Sequence, residues 1–284
     1  MRIGATTLPV AGWVIDPSQP ELERVKRLTA IRQLVEKYKL SAVELTLDLA
    51  YIFPEVFEAS LYQDVANLQQ KLGFTCSIHL PFLWLDASSL NEPIRQTSSE
   101  CIRWAVELTH PIQVETYVVH LWGFTTMRIT SELKNPHMLQ AAVLSKAKKS
   151  LVELYERVDP QKICVENLEF PSFEFVEPLV ESCGVNICLD VGHLAWQGGG
   201  EVEFYTRHRQ RIGEIHLHDA KAPKIGDHQT AQDHLPLGQG EIDILGFLHE
   251  LEKYEFGGAV ILENNTREDL EISLEYLEKY LISK

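Results

Sequence analysis

One rhythm runs through the chain from end to end. A short, β-rich apolar run is followed by a longer stretch with helical spacing, and the pair recurs eight times. The expected strands lie at residues 2–7, 42–47, 75–80, 116–121, 162–166, 186–190, 211–217 and 258–263. The amphipathic stretches between them cover 21–38, 55–72, 92–109, 136–158, 173–182, 202–208, 243–254 and 267–282. In the first of these Leu22, Val25, Leu28, Ile31, Leu34 and Val35 recur three and four residues apart, as a single apolar helix face requires. Leu270, Leu274, Leu277 and Leu281 do the same in the last. Eight β–α units in 284 residues is the arithmetic of a closed (β/α)8 TIM barrel, an α/β fold. A doubly wound open sheet seldom runs to eight consecutive units, and no glycine-rich dinucleotide turn follows the first strand. No break in composition marks a second domain, so one domain over residues 1–284 is expected.

Composition narrows the partners. With Lys+Arg 26 against Asp+Glu 41 the formal charge is −15, and no dense basic cluster relieves it. Most of such a surface repels a phosphate backbone, which argues against nucleic acid as a partner. No run approaches the ~18 to 20 apolar residues of a membrane span. The start, Met1 to Pro9, has one positive charge and no long apolar core, so it reads as a first strand and the cytoplasm is the expected compartment. Five cysteines (76, 101, 164, 183, 188) contain no CxxC pair and are expected to be free thiols. The oligomeric state is left open.

The polar residues at the ends of the strands carry the chemistry. The third strand ends Ser77-Ile78-His79 and the fourth ends Val118-Val119-His120, with Trp122 just beyond. The fifth ends Cys164-Val165-Glu166, and the sixth runs into Asp190-Val191-Gly192-His193. The seventh gives His216-Leu217-His218-Asp219, the loop after it holds Gln232-Asp233-His234, and the eighth ends Ile261-Leu262-Glu263. Six of eight strands thus finish in a histidine or a carboxylate. A lone charge at the end of an apolar strand costs several kcal/mol to desolvate unless it is paired or bound to a cation. Glu166, Asp190 and Glu263 would repel one another at a shared barrel mouth. Divalent cations resolve that conflict, and neutral imidazoles complete their coordination.

Each residue also has a plainer reading. A single strand-end histidine is commonly a hydrogen-bonded core residue, and a carboxylate can cap a helix. His218 shares a strand face with His216 through the period of two, so it can support a ligand or touch substrate instead of binding metal. Asp219 can orient a liganding histidine. Trp13, Phe82, Trp84, Trp122, Phe124 and Trp196 can stack on a sugar ring or simply pack the rim. Lys221 and Lys224 can meet a substrate phosphate or stay solvated. His110, His137, His208 and His249 fall in or beside helical stretches and read as structural or solvated.

Taken together, these strand ends resemble the xylose isomerase-like barrel superfamily, which includes endonuclease IV, sugar isomerases and keto-sugar epimerases. The resemblance rests on Asp190-Val191-Gly192-His193, the strand bearing His216, and Glu263, and it spans essentially the whole chain. It implies that Glu166, Asp190, His216 and Glu263 hold one cation, as in the epimerase branch. For the endonuclease IV branch it implies further ligands at His79, His120, His193 and His234, plus an Asp, for three zinc ions. That Asp position is held here by Gln232, with Asp233 displaced by one residue toward the histidine.

Three functions follow. The leading expectation is a multi-metal, zinc-type hydrolase of a small phosphate ester or phosphodiester, because His79, His120 and His234 exceed what one cation needs. The alternative is a single-metal sugar or sugar-phosphate isomerase or epimerase with Glu166 and Glu263 as its acid/base pair. The third is a barrel that only binds a ligand. All metal-dependent readings call for one to three divalent ions (Zn, Mn, Fe or Co) and a small-molecule substrate.

Overall fold

Apolar runs that are buried on both faces must lie between a filled barrel interior and a covering layer of helices. The computed structural model of the chain, which describes residues 1–132, 137–223 and 231–282, has that arrangement. The barrel strands are β1 (Arg2–Thr6), β2 (Ala42–Thr46), β3 (Thr75–His79), β4 (Val114–Val119), β5 (Ile163–Glu166), β6 (Asn186–Asp190) and β7 (Ile212–Leu217). A final strand, β10 (Ala259–Leu262), closes the barrel between β7 and β1, and every neighbouring pair is parallel. In β5 all four residues are buried. Register sets Thr46 beside His79 and Asp190 beside His216, so the polar strand ends share one level.

The helices are α1 (Leu8–Ala11), α2 (Pro20–Arg32), α3 (Ala59–Leu72), α4 (Glu92–Leu108), α5 (Phe124–Glu132), α6 (His137–Leu154), α7 (Phe173–Cys183), α8 (Val191–Trp196), α9 (Glu201–His208), α10 (Ile244–Lys253) and α11 (Arg267–Ile282). A π-helical turn, Gln33–Lys37, extends α2. The eight expected units are present, with local corrections. Strand β4 starts two residues before the expected 116 and stops at Val119, so His120 stands just past it, as Glu263 stands past β10. Helix α3 begins at Ala59 and not at 55, because turns at Phe53 first bury Val56 and Phe57. The short helices α1, α5 and α8 carry too few turns for a periodic signal. After β7 the chain forms an antiparallel ribbon, β8 (Asp219–Lys221) with β9 (Gln232–Leu235), where a plain loop was expected. All five cysteines are free thiols, and among the described residues no helix is long and apolar enough to cross a membrane.

The outer layer is locked in one place by a buried charge. Arg95, on α4, is 1% exposed. Its five N–H groups are all used: on Glu92 at 3.0 and 3.2 Å, on Glu153 at 3.0 and 3.1 Å, and on Ser150 at 2.8 Å. This clamps α4 to α6 behind the wall of the barrel mouth. Arg95→Ala should therefore lower stability by about 2–4 kcal/mol, at the lower side of buried-pair losses because both glutamates reach solvent. Chemical denaturation of the two proteins checks it, and a loss under 1 kcal/mol would contradict it.

Candidate metal centre

At the C-terminal ends of the strands three carboxylates meet. Glu166 ends β5, Asp190 ends β6, and both are buried, while Glu263 follows β10 and is slightly exposed. Imidazoles lie between them. Glu166 is the hub: its Oε2 is 2.8 Å from His120 Nε2 and 3.2 Å from His79 Nε2. Its Oε1 is 3.4 Å from both His193 Nδ1 and His216 Nδ1. Glu263 Oε2 lies 3.4 Å from the same His216 Nδ1, and Asp190 Oδ2 lies 4.0 Å from it. That nitrogen is fully buried and has no hydrogen-bond partner. An orphaned nitrogen facing three carboxylates is a donor set that fits a divalent cation.

Backbone carbonyls at the strand ends orient the rings. A carbonyl can only accept, so each ring nitrogen facing one carries a proton, and when the ring is neutral it is the other nitrogen that offers a lone pair. His79 Nδ1 donates to Leu80 O (3.1 Å), His193 Nδ1 to Asn167 O (2.9 Å) and His234 Nδ1 to Glu263 O (3.0 Å). The other nitrogen of His79, Nε2, meets Glu166 Oε2 at 3.2 Å. Below the site, Glu44 of β2 is fully buried, and its Oε2 lies 3.4 Å from His216 Nε2. This carboxylate escaped the sequence reading, although a Glu inside the apolar run Ala42-Val43-Glu44-Leu45 was its signal.

Asp190 does two jobs. Its Oδ1 caps α8 by accepting from His193 N at 2.7 Å, and its Oδ2 holds His218 Nε2 at 3.1 Å. The His218 ring crosses directly over Gly192, where any Cβ would come within 1.8 Å of it. Only glycine fits there. On its other side His218 Nδ1 is 3.2 Å from Asp233 Oδ1. His234, at φ +52°, completes this corner. Gln232 is exposed while Asp233 is turned inward, so the displaced Asp reaches the site.

Donor atoms fall within 4.8 Å of one another in several sets: Glu166, Asp190, His216 and Glu263; His79, His120 and Glu166; and His218, Asp233 and His234. The residue types suit a divalent cation of the zinc or manganese kind. The Asp219 carboxylate faces elsewhere, accepting from the amides of Ala220, Gly238 and Ile242, while its carbonyl lies 3.3 Å from His218 Nδ1. Trp122 lines the cavity above the site, as do Trp13, Phe82, Trp84 and Phe124. Lys221 sits on β8 opposite Gln232 and is not among the described cavity-lining residues. Lys224 and the side chain of His137 lie outside the described residues. His110 is exposed at the end of α4, and His208 and His249 stand on outer helices.

Charge balance follows from this geometry. Burial pushes the Glu166 carboxyl up, but His120 and His216 beside it more than offset that and hold it well below the usual range. Burial drives His79 down, yet Glu166 and Glu44 lift it to about 10. His193 is lifted against its burial to about 10, chiefly by Asp190, and His218 to about 9 by the same carboxylate. Without a cation, protons on the imidazoles neutralise the cluster.

A family model described as "xylose isomerase-like TIM barrel" matches residues 32–280. The chain belongs to that family. An uncharacterized protein of Methanocaldococcus jannaschii, MJ1311, is 30% identical over 95% of this chain and 91% of its own. A solved D-tagatose 3-epimerase-like protein superposes with a TM-score of 0.74 at 21% identity, over 99% and 97% of the two chains. The 3-keto-D-glucoside 4-epimerase YcjR of E. coli does so at 0.67 and 13%, covering 99% of each.

Because liganding imidazoles must be neutral, cation binding at pH 7 should expel protons from rings whose pKa is raised. Calorimetric titration of Mn²⁺ or Zn²⁺ in buffers of different ionisation enthalpy should show at least one proton released per ion. No release would contradict this charge balance. The sign for the cation-free protein is also fixed. Stability contributed by the raised histidines is complete below about pH 6.5 and is lost as pH rises through about 9 to 10.

Proposed function

We propose that this protein is a divalent-metal-dependent sugar isomerase or epimerase, moving a proton at the carbon beside a carbonyl. One observation carries the reading. Glu166 and Glu263 approach the same orphaned nitrogen of His216 from different strands, each at 3.4 Å, on the floor of an open cavity. A sugar lying over that floor meets two carboxylates. A divalent cation held by Glu166, Asp190, His216 and Glu263 would supply Lewis acidity, polarising the carbonyl and the adjacent hydroxyl. Glu263, the more exposed carboxylate, abstracts the carbon-bound proton, and Glu166 returns one from its own side. His234 turns its Nε2 toward substrate hydroxyls, and His193 Nε2, 3.7 Å from Glu169 Oε1, stands beside them. His79 and His120 hold the Glu166 carboxylate in place. The names of the D-tagatose 3-epimerase-like protein and of the 3-keto-D-glucoside 4-epimerase agree with this chemistry.

The multi-metal hydrolase is the second reading. It is favoured by the sets His79–His120–Glu166 and His218–Asp233–His234, which offer donors beyond those one cation uses. Metal content and solvent exchange separate the two. We expect one tightly held ion per chain by elemental analysis, and deuterium from solvent appearing at carbon in a ketose or keto-glycoside incubated with the enzyme. Glu263→Gln should slow that exchange by about 100-fold or more. Two or three zinc ions per chain, phosphodiester turnover and no carbon exchange would overturn the epimerase in favour of the hydrolase.

A further inference from the structure

The cavity over the carboxylates is about 880 Å³, toward the upper end of the roughly 300–1,000 Å³ of small-molecule sites. A single pyranose ring would fill only its floor. The remaining volume is bounded by Trp13, Trp84, Leu85, Ile94, Phe124 and Met127, and no lysine or arginine lines the cavity among the described residues. Its imidazoles, His79, His120, His193 and His234, belong to the carboxylate cluster on the floor and Glu169 stands beside them, so a distal phosphate or carboxylate on the substrate would find no described lysine or arginine to pair with.

Two rings at the rim are exposed far beyond what packing requires, Trp84 at 82% and Phe124 at 77%. They are nevertheless held on tied segments. The loop after β3 is pinned by Asp48, whose Oδ1 accepts from Phe82 N at 2.9 Å and Leu83 N at 2.8 Å, and by Tyr51, whose hydroxyl donates to Leu83 O. Trp84 follows at φ +61°, a backbone state that a bulky side chain adopts only under compulsion. Asp86 then joins this loop to the start of α5. It accepts from Gly123 N at 3.2 Å and from Thr126 Oγ1 at 2.7 Å, and Gly123 is packed so closely that a Cβ would come within 2.5 Å of Asp86 Cβ. The backbone that carries both exposed rings is therefore braced on one frame beside the cavity.

We propose that this arm binds the apolar, uncharged aglycone of a glycoside whose sugar ring lies on the carboxylate floor. The substrate class is then a neutral glycoside and neither a free monosaccharide nor a sugar phosphate. The inference rests on the sugar-epimerase reading for the ring and adds the second half of the ligand. Aromatic platforms suit the aglycone because ring stacking needs no charge and adds to simple area burial.

The test is calorimetric titration of the Mn²⁺-loaded protein with methyl and phenyl β-D-glucopyranoside, D-glucose and D-glucose 6-phosphate. Phenyl glucoside should bind at least tenfold more tightly than methyl glucoside, and glucose 6-phosphate no more tightly than glucose. In Trp84→Gly and Phe124→Ala the phenyl-to-methyl ratio should fall below threefold. Trp84→Gly removes the ring while relieving the left-handed backbone, so it should keep or raise Tm, which separates a binding role from a structural one. Equal affinity for the two glucosides, or a preference for the phosphate, would overturn the proposal. So would a dimer by light scattering that Trp84→Gly splits, since a second copy would then cover the rim. Failure of the epimerase reading looks different: phenyl glucoside gains from Trp84, yet no sugar exchanges its carbon-bound proton.

Discussion

Everything at the barrel mouth depends on balancing the charge of converging carboxylates in a place with little water. Glu166, Asp190 and Glu263 arrive on three strands whose register leaves them no room to diverge. Each has to be met by a proton, a hydrogen bond or a cation. The chain answers with imidazoles on almost every neighbouring strand end, so that Glu166 and Asp190 each have more than one partner. Glu166 faces four of them. Below, Glu44 and Glu214 continue the acidic series into the barrel interior, where burial and the proximity of Glu44 push the Glu214 carboxyl well above its ordinary value, toward its neutral form. His216 is thus gripped between acids on both of its nitrogens.

The same strand ends that supply the ligands also aim them. In a parallel barrel the sheet ladder runs out at the C-terminal edge, leaving carbonyls free to accept from side chains. Leu80, Asn167 and Glu263 offer theirs to His79, His193 and His234. Asn167 in turn ties β5 to β6, its side chain bonding the Asp190 amide and carbonyl at 2.9 and 2.8 Å. Ring orientation is therefore a property of the barrel edge and not of the loops above it, which places precise geometry on the stiffest part of the molecule.

Much of this could be read before the structure. Eight units were visible because each strand is buried on both faces and each long helix on one, and the strand-end residues stood out as charges after apolar runs. What escaped lacked a repeating signal. Helix α8 is only six residues, Val191–Trp196, and starts directly at the Asp190 cap. Glu44 sits in mid-strand, where a carboxylate reads as an exception until His216 is seen beside it. Asp48, Tyr51 and Asp86 work by bonding backbone and hydroxyl groups distant in sequence, and no spacing announces such contacts. The sequence leaves His218 to support a ligand or touch substrate, and its approach to Asp233 and His234 has no sequence signal, because it depends on the β8–β9 ribbon folding back over it.

Asp86 has a reach beyond its own hydrogen bonds. By fastening the β3 loop to the first turn of α5, it makes the two sides of the mouth a single mechanical unit, so neither can drift without breaking both bonds and opening the Gly123 contact. Descent within such a lineage would then favour exchanging one ring for another over lengthening either loop. The width of the entrance would be inherited almost unchanged, while its chemistry drifted freely.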